Sequence, residues 1–206
     1  HIDANANGVT VTTAHGRYEA GKLIVTAGAW LSQLAEQLGL TLPLVVEKQQ
    51  VHYLAVPPRE VYDVTRMPTF ISRDQNVYGI PMLERPLHIK AAAHNGAPTI
   101  NIDERTFEMN ETLAQNAVNG ARTLIPEAST DIKHYETCLY TQTPDTHFIL
   151  DTHPELNNVV FGGGFSGHGF KFGPTLGNIL KDLSLEQDSG FDLSLFGVDR
   201  FTAISV

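Results

Sequence analysis

The chain has 206 residues, 42% apolar and 18% charged, with 14 Lys+Arg against 23 Asp+Glu and a formal net charge of −9. A chain of this length buries a core without a disulfide or metal staple, and its single Cys has no partner for an intrachain bridge. No apolar run approaches the roughly 18 residues of a membrane span, and an acidic chain without a clustered basic surface is a poor match for a phosphate backbone; membrane and nucleic acid are excluded as partners.

The first residues, His1-Ile2-Asp3-Ala4-Asn5, have neither the basic nor the apolar part of a secretion signal, so a cytoplasmic location is expected. The chain opens without a Met, already in the cadence of strands and turns, and reads as a piece of something longer. Val9-Thr10-Val11-Thr12-Thr13 lies between Asn7-Gly8 and His15-Gly16, which predicts a hairpin into Lys22-Leu23-Ile24-Val25-Thr26. Gly28 breaks that strand, and Trp30, Leu31, Leu34 and Leu38 recur at helical spacing until Gly39. A long extended stretch is predicted from Leu44 to Val56, closed by Pro57-Pro58. Shorter strands follow at Thr69–Ser72, Val77–Ile80 and Leu87–Ala93, joined by links too short for crossover helices and therefore antiparallel.

Glu111 to Leu124 reads as a helix with Leu113, Ala117, Ala121 and Leu124 on one stripe and Pro126 as its stop. Strands are predicted at Tyr135–Thr141, His147–Asp151 and Val159–Gly162. A last amphipathic helix carries Phe172, Leu176, Ile179, Leu180 and Leu183, with Pro174 in its first turn. The fold class is α+β: a mostly antiparallel sheet with flanking helices, plus two pieces resembling parts of an α/β layer.

Three segments carry chemistry. Val159–Gly169 runs from strand through a Gly-rich turn into a helix, and Gly162, Gly164 and Gly167 match the dinucleotide pattern literally. The context does not match, because only 39 residues follow Gly167 and no second parallel strand with a ribose-binding acid fits there. What remains is a close-approach turn whose amides, at a helix start, favour negative charge. Gly164-Phe165-Ser166-Gly167 also begins like a nucleophile elbow, but His168 replaces the final Gly and is the last His in the chain. In Leu87–His94 the period of two puts His88, Lys90, Ala92 and His94 on one face and Leu87, Ile89, Ala91 and Ala93 on the other. That pattern describes either a sheet with one solvated face or the floor of a pocket with cations facing a ligand. His88, His94, His147 and His153 have no recognised metal-ligand spacing. Cys138 shares a strand face with Tyr140; it is either a small core residue or, beside a cation, a reactive thiol, and a thiol hydrolase using Cys138 with His134 or His147 is one such reading.

Taken in order, Lys90-x-x-x-His94, the run Cys138-Leu139-Tyr140-Thr141-Gln142-Thr143-Pro144-Asp145-x-His147-Phe148-Ile149-Leu150-Asp151, and Gly164-Phe165-Ser166-Gly167-His168-Gly169-Phe170-Lys171-Phe172 resemble the monomeric sarcosine oxidase and N-methyltryptophan oxidase family of flavoproteins. The resemblance extends from Leu23–Trp30 to Asp192–Phe196, nearly the whole chain, but covers only the C-terminal half or so of a family member. The N-terminal dinucleotide fingerprint is missing, as is an Arg that in the family helps hold the substrate carboxylate.

The resemblance implies FAD between a nucleotide-binding domain and an antiparallel substrate domain: residues 1–44 as part of the FAD-binding domain, 45–134 as the substrate domain, and 135–206 as the C-terminal part of the FAD-binding domain. By motif match Cys138 joins the flavin 8α carbon through sulfur, with Gly28, Gly164, Phe165, Gly167, His168, Gly169 and Lys171 also at the cofactor. Lys171 is matched to a substrate-carboxylate cation, Tyr140 and His94 to residues beside the bound amine, and Lys90 to the lysine over the flavin that activates oxygen. The family oxidises a small N-methyl amino acid with molecular oxygen, giving formaldehyde, a primary amine and hydrogen peroxide. The full-length protein is expected to be a monomer, and the chain by itself to be inactive and without its FAD. The alternative is a catalytically silent fragment that keeps the fold and self-associates.

Overall fold

The computed structural model describes residues 1–204. In chain order the elements are β1 (Ile2–Asn5), β2 (Gly8–Thr13), β3 (Gly16–Ala20), β4 (Leu23–Val25), α1 (Leu31–Glu36), β5 (Val45–Ala55), β6 (Phe70–Ser72), β7 (Val77–Ile80), β8 (His88–Ala93), β9 (Thr99–Ile100), α2 (Glu111–Leu124), β10 (His134–Gln142), β11 (Ile149–Thr152), β12 (Val159–Gly163) and α3 (Gly173–Ser184), with short 3-10 turns between. The chain forms two compact units, one of His1–Val46 with Tyr140–Val206 and the other of Glu47–Leu139. The class is α+β and mostly antiparallel.

The first unit holds two three-stranded sheets. In one, β1, β2 and β3 form an antiparallel meander, Ile2 facing Val11 and Val9 facing Ala20. The hairpin partner of β2 is therefore Gly16–Ala20 and not Lys22–Thr26. All five residues of β3 are exposed, so it has no apolar alternation to reveal it, whereas Leu23–Val25 looked like a partner because it is apolar. Those residues instead run parallel to β12 in the second sheet, Leu23 beside Val159 and Val25 beside Phe161. On the far side of β12 lies β11, antiparallel.

β12 is buried along its whole length because each face meets a different layer. Val159 and Phe161 join Val25, Leu31 and Ala35 on one side, while Val160 packs with Leu176, Ile179 and Leu180 of α3 on the other. A strand covered on both faces reads as a continuous apolar run rather than an alternating one. Gly162 and Gly163 continue it where the helices press closest: a Cβ at Gly162 would lie 2.6 Å from Leu180, and one at Gly163 would strike Leu31. Two residues assigned to buried helical stripes lie elsewhere. Trp30 precedes α1 and is 46% exposed, and Phe172 precedes α3, where its ring meets Phe148 edge-on.

The second unit is a sheet of order β10-β5-β8-β7-β6, with β9 also on β5, covered on one face by α2. β8 is antiparallel to β5 and β7, placing Tyr53 and Ile80 either side of Lys90, and His52 beside Ala91. Ile89 and Ala91 face the core with Leu54, Val77, Val118 and Ala121, so the period-two division of β8 is realised. Leu87 falls outside it: the strand begins at His88, and Leu87 sits at φ 58° with its side chain exposed. The Asn110 side chain caps α2 by accepting from the Leu113 amide at 3.1 Å. Its buried stripe is Leu113, Ala114, Ala117, Val118, Gly120 and Ala121; Leu124, in the last turn, is exposed. Gly120 sets the helix-to-sheet distance, since a Cβ there would lie 2.9 Å from that of Val77. No described helix is long and apolar enough to cross a membrane.

Candidate functional site

On the face of the second unit's sheet opposite α2, the register brings charged groups together. Tyr53, 2% exposed, is flanked by Lys90 on β8, and the phenol lies 2.5 Å from Glu84 Oε2, to which it donates, and 3.3 Å from Glu136 Oε1. Lys90 Nζ donates to Glu84 Oε1 at 2.8 Å and stands 6.0 Å from the centre of the Tyr53 ring. Arg85 lies over the same ring at 4.8 Å, with a longer contact to Glu136 of 3.8 Å. The Lys90 ammonium and the Tyr53 hydroxyl hold the Glu84 carboxyl below its ordinary range, while burial and Glu84 push the phenol well above its own. Of these groups sequence reasoning selected only Lys90; Tyr53 and Glu84 emerge from strand register and a loop.

Two residues from Glu136 on β10 comes Cys138, half-buried and on the same strand face. Burial pushes its thiol up, and the cations of Lys90 and Arg105 pull it back down. The structure thus brings Lys90 and Cys138 within electrostatic reach of each other. A thiol held up by burial is protonated at neutral pH, which counts against the hydrolase reading. His94 is less embedded: its amide donates to Asn76 O at 2.9 Å, its side chain is exposed, and its ring meets Tyr78 edge-on at 6.4 Å.

The remaining candidates belong to the first unit. After β12 the backbone turns through three left-handed residues, Gly164 at φ 59°, Ser166 at 48° and Gly167 at 75°. The Ser166 amide donates to Thr141 O at 3.0 Å, tying the turn to the end of β10. Gly164 is pressed against Thr143, with a built Cβ 2.6 Å from its methyl, and Gly167 against the ring of Tyr140. A Cβ at Gly169 would lie 2.5 Å from that of Phe165. These glycines are therefore required by the protein's own packing, so glycine content alone does not report a ligand. Gly28 differs: it has φ 54° and nothing within 4 Å of its Cβ position, which leaves that side of the strand-to-helix turn open.

Phe165 and His168 both pack on Phe148, at 5.2 and 5.0 Å between ring centres. The His168 amide donates to Phe165 O and its Nε2 is 3.2 Å from Thr146 O, so this residue is committed to holding the turn. The amides of Gly167 and Gly169 donate to no backbone carbonyl among the described residues. Lys171 is exposed, 5.3 Å from the Phe172 ring centre, with no carboxylate partner among the described residues. His153, one of the weighed metal ligands, spans loops instead: Nε2 is 3.0 Å from Leu38 O, and Nδ1 accepts from the Glu155 amide.

A family model for FAD dependent oxidoreductases matches residues 1–183. The chain belongs to that family. Among curated relatives it is 36% identical to the peroxisomal sarcosine oxidase of Mus musculus over 96% of this chain and 52% of that protein. It is 35% identical to a monomeric sarcosine oxidase of a Bacillus species, covering 97% and 52%, and 34% identical to the N-methyl-L-tryptophan oxidase of Salmonella arizonae, covering 98% and 53%. The chain spans about half the length of the curated relatives it matches. Of solved structures, the L-proline dehydrogenase of P. horikoshii superposes with a TM-score of 0.81 at 18% identity, over 100% of this chain and 54% of that one. NikD, an amino acid oxidase of nikkomycin biosynthesis, gives 0.77 at 23%, over 96% and 53%. Both establish a shared fold.

Each unit of this FAD-dependent oxidoreductase chain carries groups that suit a flavin. Within the first, a left-handed turn with two amides that donate to no backbone carbonyl leads to a helix start, and an open glycine stands at a second strand-to-helix turn; within the second, a thiol shares a sheet face with a lysine. Those are the chemistries an electron-rich ring with a carbonyl edge calls for: hydrogen-bond donors, positive potential and close backbone approach.

Proposed function

We propose that the chain forms part of a flavin-dependent oxidase of secondary N-methyl amino acids, of the sarcosine or N-methyltryptophan type. The reading is supported most directly by the 34–36% identity to sarcosine and N-methyltryptophan oxidases over nearly the whole chain, with Lys90 and Cys138 on one face of the same sheet. Bound FAD would supply a two-electron oxidation of the N-methyl amine with molecular oxygen as the final acceptor, the products being hydrogen peroxide, formaldehyde and a primary amine once water hydrolyses the imine.

The protein's own residues bind, orient and supply the field. Cys138 is the covalent anchor; its buried, protonated thiol loses its proton more readily for the cations of Lys90 and Arg105. Gly167 and Gly169 donate their amides to the electron-rich edge of the ring, in a turn that Phe165 and His168 steady against Phe148 and that Gly164 allows to pack on Thr143. Gly28 gives the cofactor room to approach the first turn. Lys90 holds a positive charge where oxygen is reduced, favouring the anion that forms. Lys171, without an internal carboxylate partner, takes the substrate carboxylate, with Tyr140 and His94 beside the amine.

The test is peroxide release by flavin-loaded protein, made with whatever coding sequence precedes the chain, given sarcosine or N-methyltryptophan. Peroxide and formaldehyde in equal amounts support the reading, and loaded protein that releases neither from any N-methyl amino acid refutes it. The 206 residues alone are expected to be colourless and inactive, and flavin absorbance retained by the denatured chain would contradict that.

A further inference from the structure

Lys90 does not present a free charge. Its Nζ donates to Glu84 Oε1 at 2.8 Å, and the other oxygen of that carboxylate accepts from the Tyr53 hydroxyl at 2.5 Å. One carboxylate is thus held at both ends, by an ammonium from β8 and by a phenol from β5, the two residues facing each other across the strand pair. Tyr53 is 2% exposed and the Lys90 side chain 20%, while the Glu84 side chain, 40% exposed, closes the cluster on its solvent side. Glu84 reaches in from the segment between β7 and β8, and nothing in the strand alternation anticipates it.

We propose that Glu84, steadied by Tyr53, is the positioning residue for Lys90: the dyad fixes where the ammonium sits. Holding the ammonium on one oxygen of a carboxylate that is itself fixed by a buried phenol removes rotamer freedom from a long side chain. The other charged groups around the cluster are Arg85 over the Tyr53 ring, Glu136 near the phenol, and Arg105, whose charge also acts on Cys138.

The dyad's bearing on flavin reoxidation rests on the role proposed for Lys90, but the dyad is testable without it. Competitive acetylation of Lys90 with labelled acetic anhydride, read by mass spectrometry at pH 8, is expected to run several-fold faster in Glu84→Gln. It should rise less in Tyr53→Phe and stay close to the parent in Glu84→Asp, which restores the charge. Lys90 labelling within twofold of the parent in both Glu84→Gln and Tyr53→Phe overturns the proposal, as does labelling in Glu84→Asp as fast as in Glu84→Gln. Failure of Lys90→Met to slow flavin reoxidation would instead remove the oxygen role and leave the dyad standing.

Discussion

The ring of Tyr140 fills the space in which a side chain at Gly167 would have to begin. The two residues belong to different elements, one ending β10 and the other in the turn after β12, and the Ser166 amide bonded to Thr141 O holds them in register. Gly167 also sits at φ 75°, so a side chain there meets both a strained backbone and an occupied volume. Gly167→Ala is expected to destabilise the fold by about 2 kcal/mol, measured by urea denaturation, with part of the loss recovered by Tyr140→Ala in the same chain. A substitution costing less than about 0.5 kcal/mol would show that the ring moves aside freely.

His52 supplies a pH dependence. Its side chain is fully buried on the core side of β5, neither ring nitrogen meets a hydrogen-bond partner of good geometry, and desolvation lowers its pKa, with the Ala91 backbone opposing slightly. A folded-state pKa below the unfolded value of 6.5 means that the unfolded chain takes up the proton first. The fold is therefore at full strength above pH 6.5 and loses stability as the pH falls through that value toward the lowered one. His52→Leu removes this term, so the variant should gain on the parent between pH 7.5 and 5.5 in denaturation midpoints. A difference between the two that is flat across that range would exclude His52 as the source.

Asp145 behaves in the opposite sense. The Arg200 guanidinium, at 2.8 Å through Nε, and the His147 amide lower its carboxyl from 3.8 to about 2. A lowered carboxylate stabilises the fold above its unfolded pKa, and that contribution disappears as pH falls from 3.8 through about 2. The carboxylate is 36% exposed, and screening reduces its worth to about 1 kcal/mol. Asp145→Asn should cost that much at pH 7 and almost nothing near pH 2, as followed by thermal unfolding; an equal cost at both pH values would locate the effect in packing.

Cys138→Ser in flavin-loaded protein is expected to abolish covalent attachment while leaving the fold intact, since a hydroxyl replaces a half-buried thiol of similar size. Denaturing the variant in trichloroacetic acid should release all of its flavin to the supernatant. Flavin that stays with the pellet would assign the linkage to another residue.

Lys90→Met keeps the length of the side chain and removes its charge. Stopped-flow measurements should show reoxidation of reduced flavin by oxygen slowed by about two orders of magnitude, with reduction by the amine changed much less. Equal slowing of both half-reactions would make the lysine a general determinant of the fold or the potential instead.

How much of this was legible in the sequence follows from whether local pattern or distant register decides a position. β8 was legible because period-two alternation is local: Ile89 and Ala91 took the core, and Lys90 and Ala92 the other face. α2 was legible because a capping Asn, an apolar stripe and Pro126 mark it out, although Leu124 at its last turn points to solvent. β3 is hidden by its exposure, and the apolar Leu23–Val25 reads as the hairpin partner in its place because nothing local distinguishes a parallel strand buried by distant segments. At the site, motif matching selected Lys90 and Cys138 individually, but the dyad of Tyr53 and Glu84 depends on register and on a loop conformation. His168 stands in a glycine-rich turn that suggests a ligand contact, and its ring also braces that turn against Phe148, which the sequence pattern does not reveal.

The parallel pairing of β4 with β12 also constrains the order in which the molecule can be made. When Leu23 leaves the ribosome its neighbour Val159 has not been synthesised, and the whole of Glu47–Leu139 emerges in between. That intervening body contains its own sheet, helix and core, so it can close while β4 is still waiting for its neighbour. Leu23, Ile24 and Val25 therefore wait for Val159–Phe161 until the second unit has emerged, so the β4–β12 pairing closes the first unit only after the second has been made.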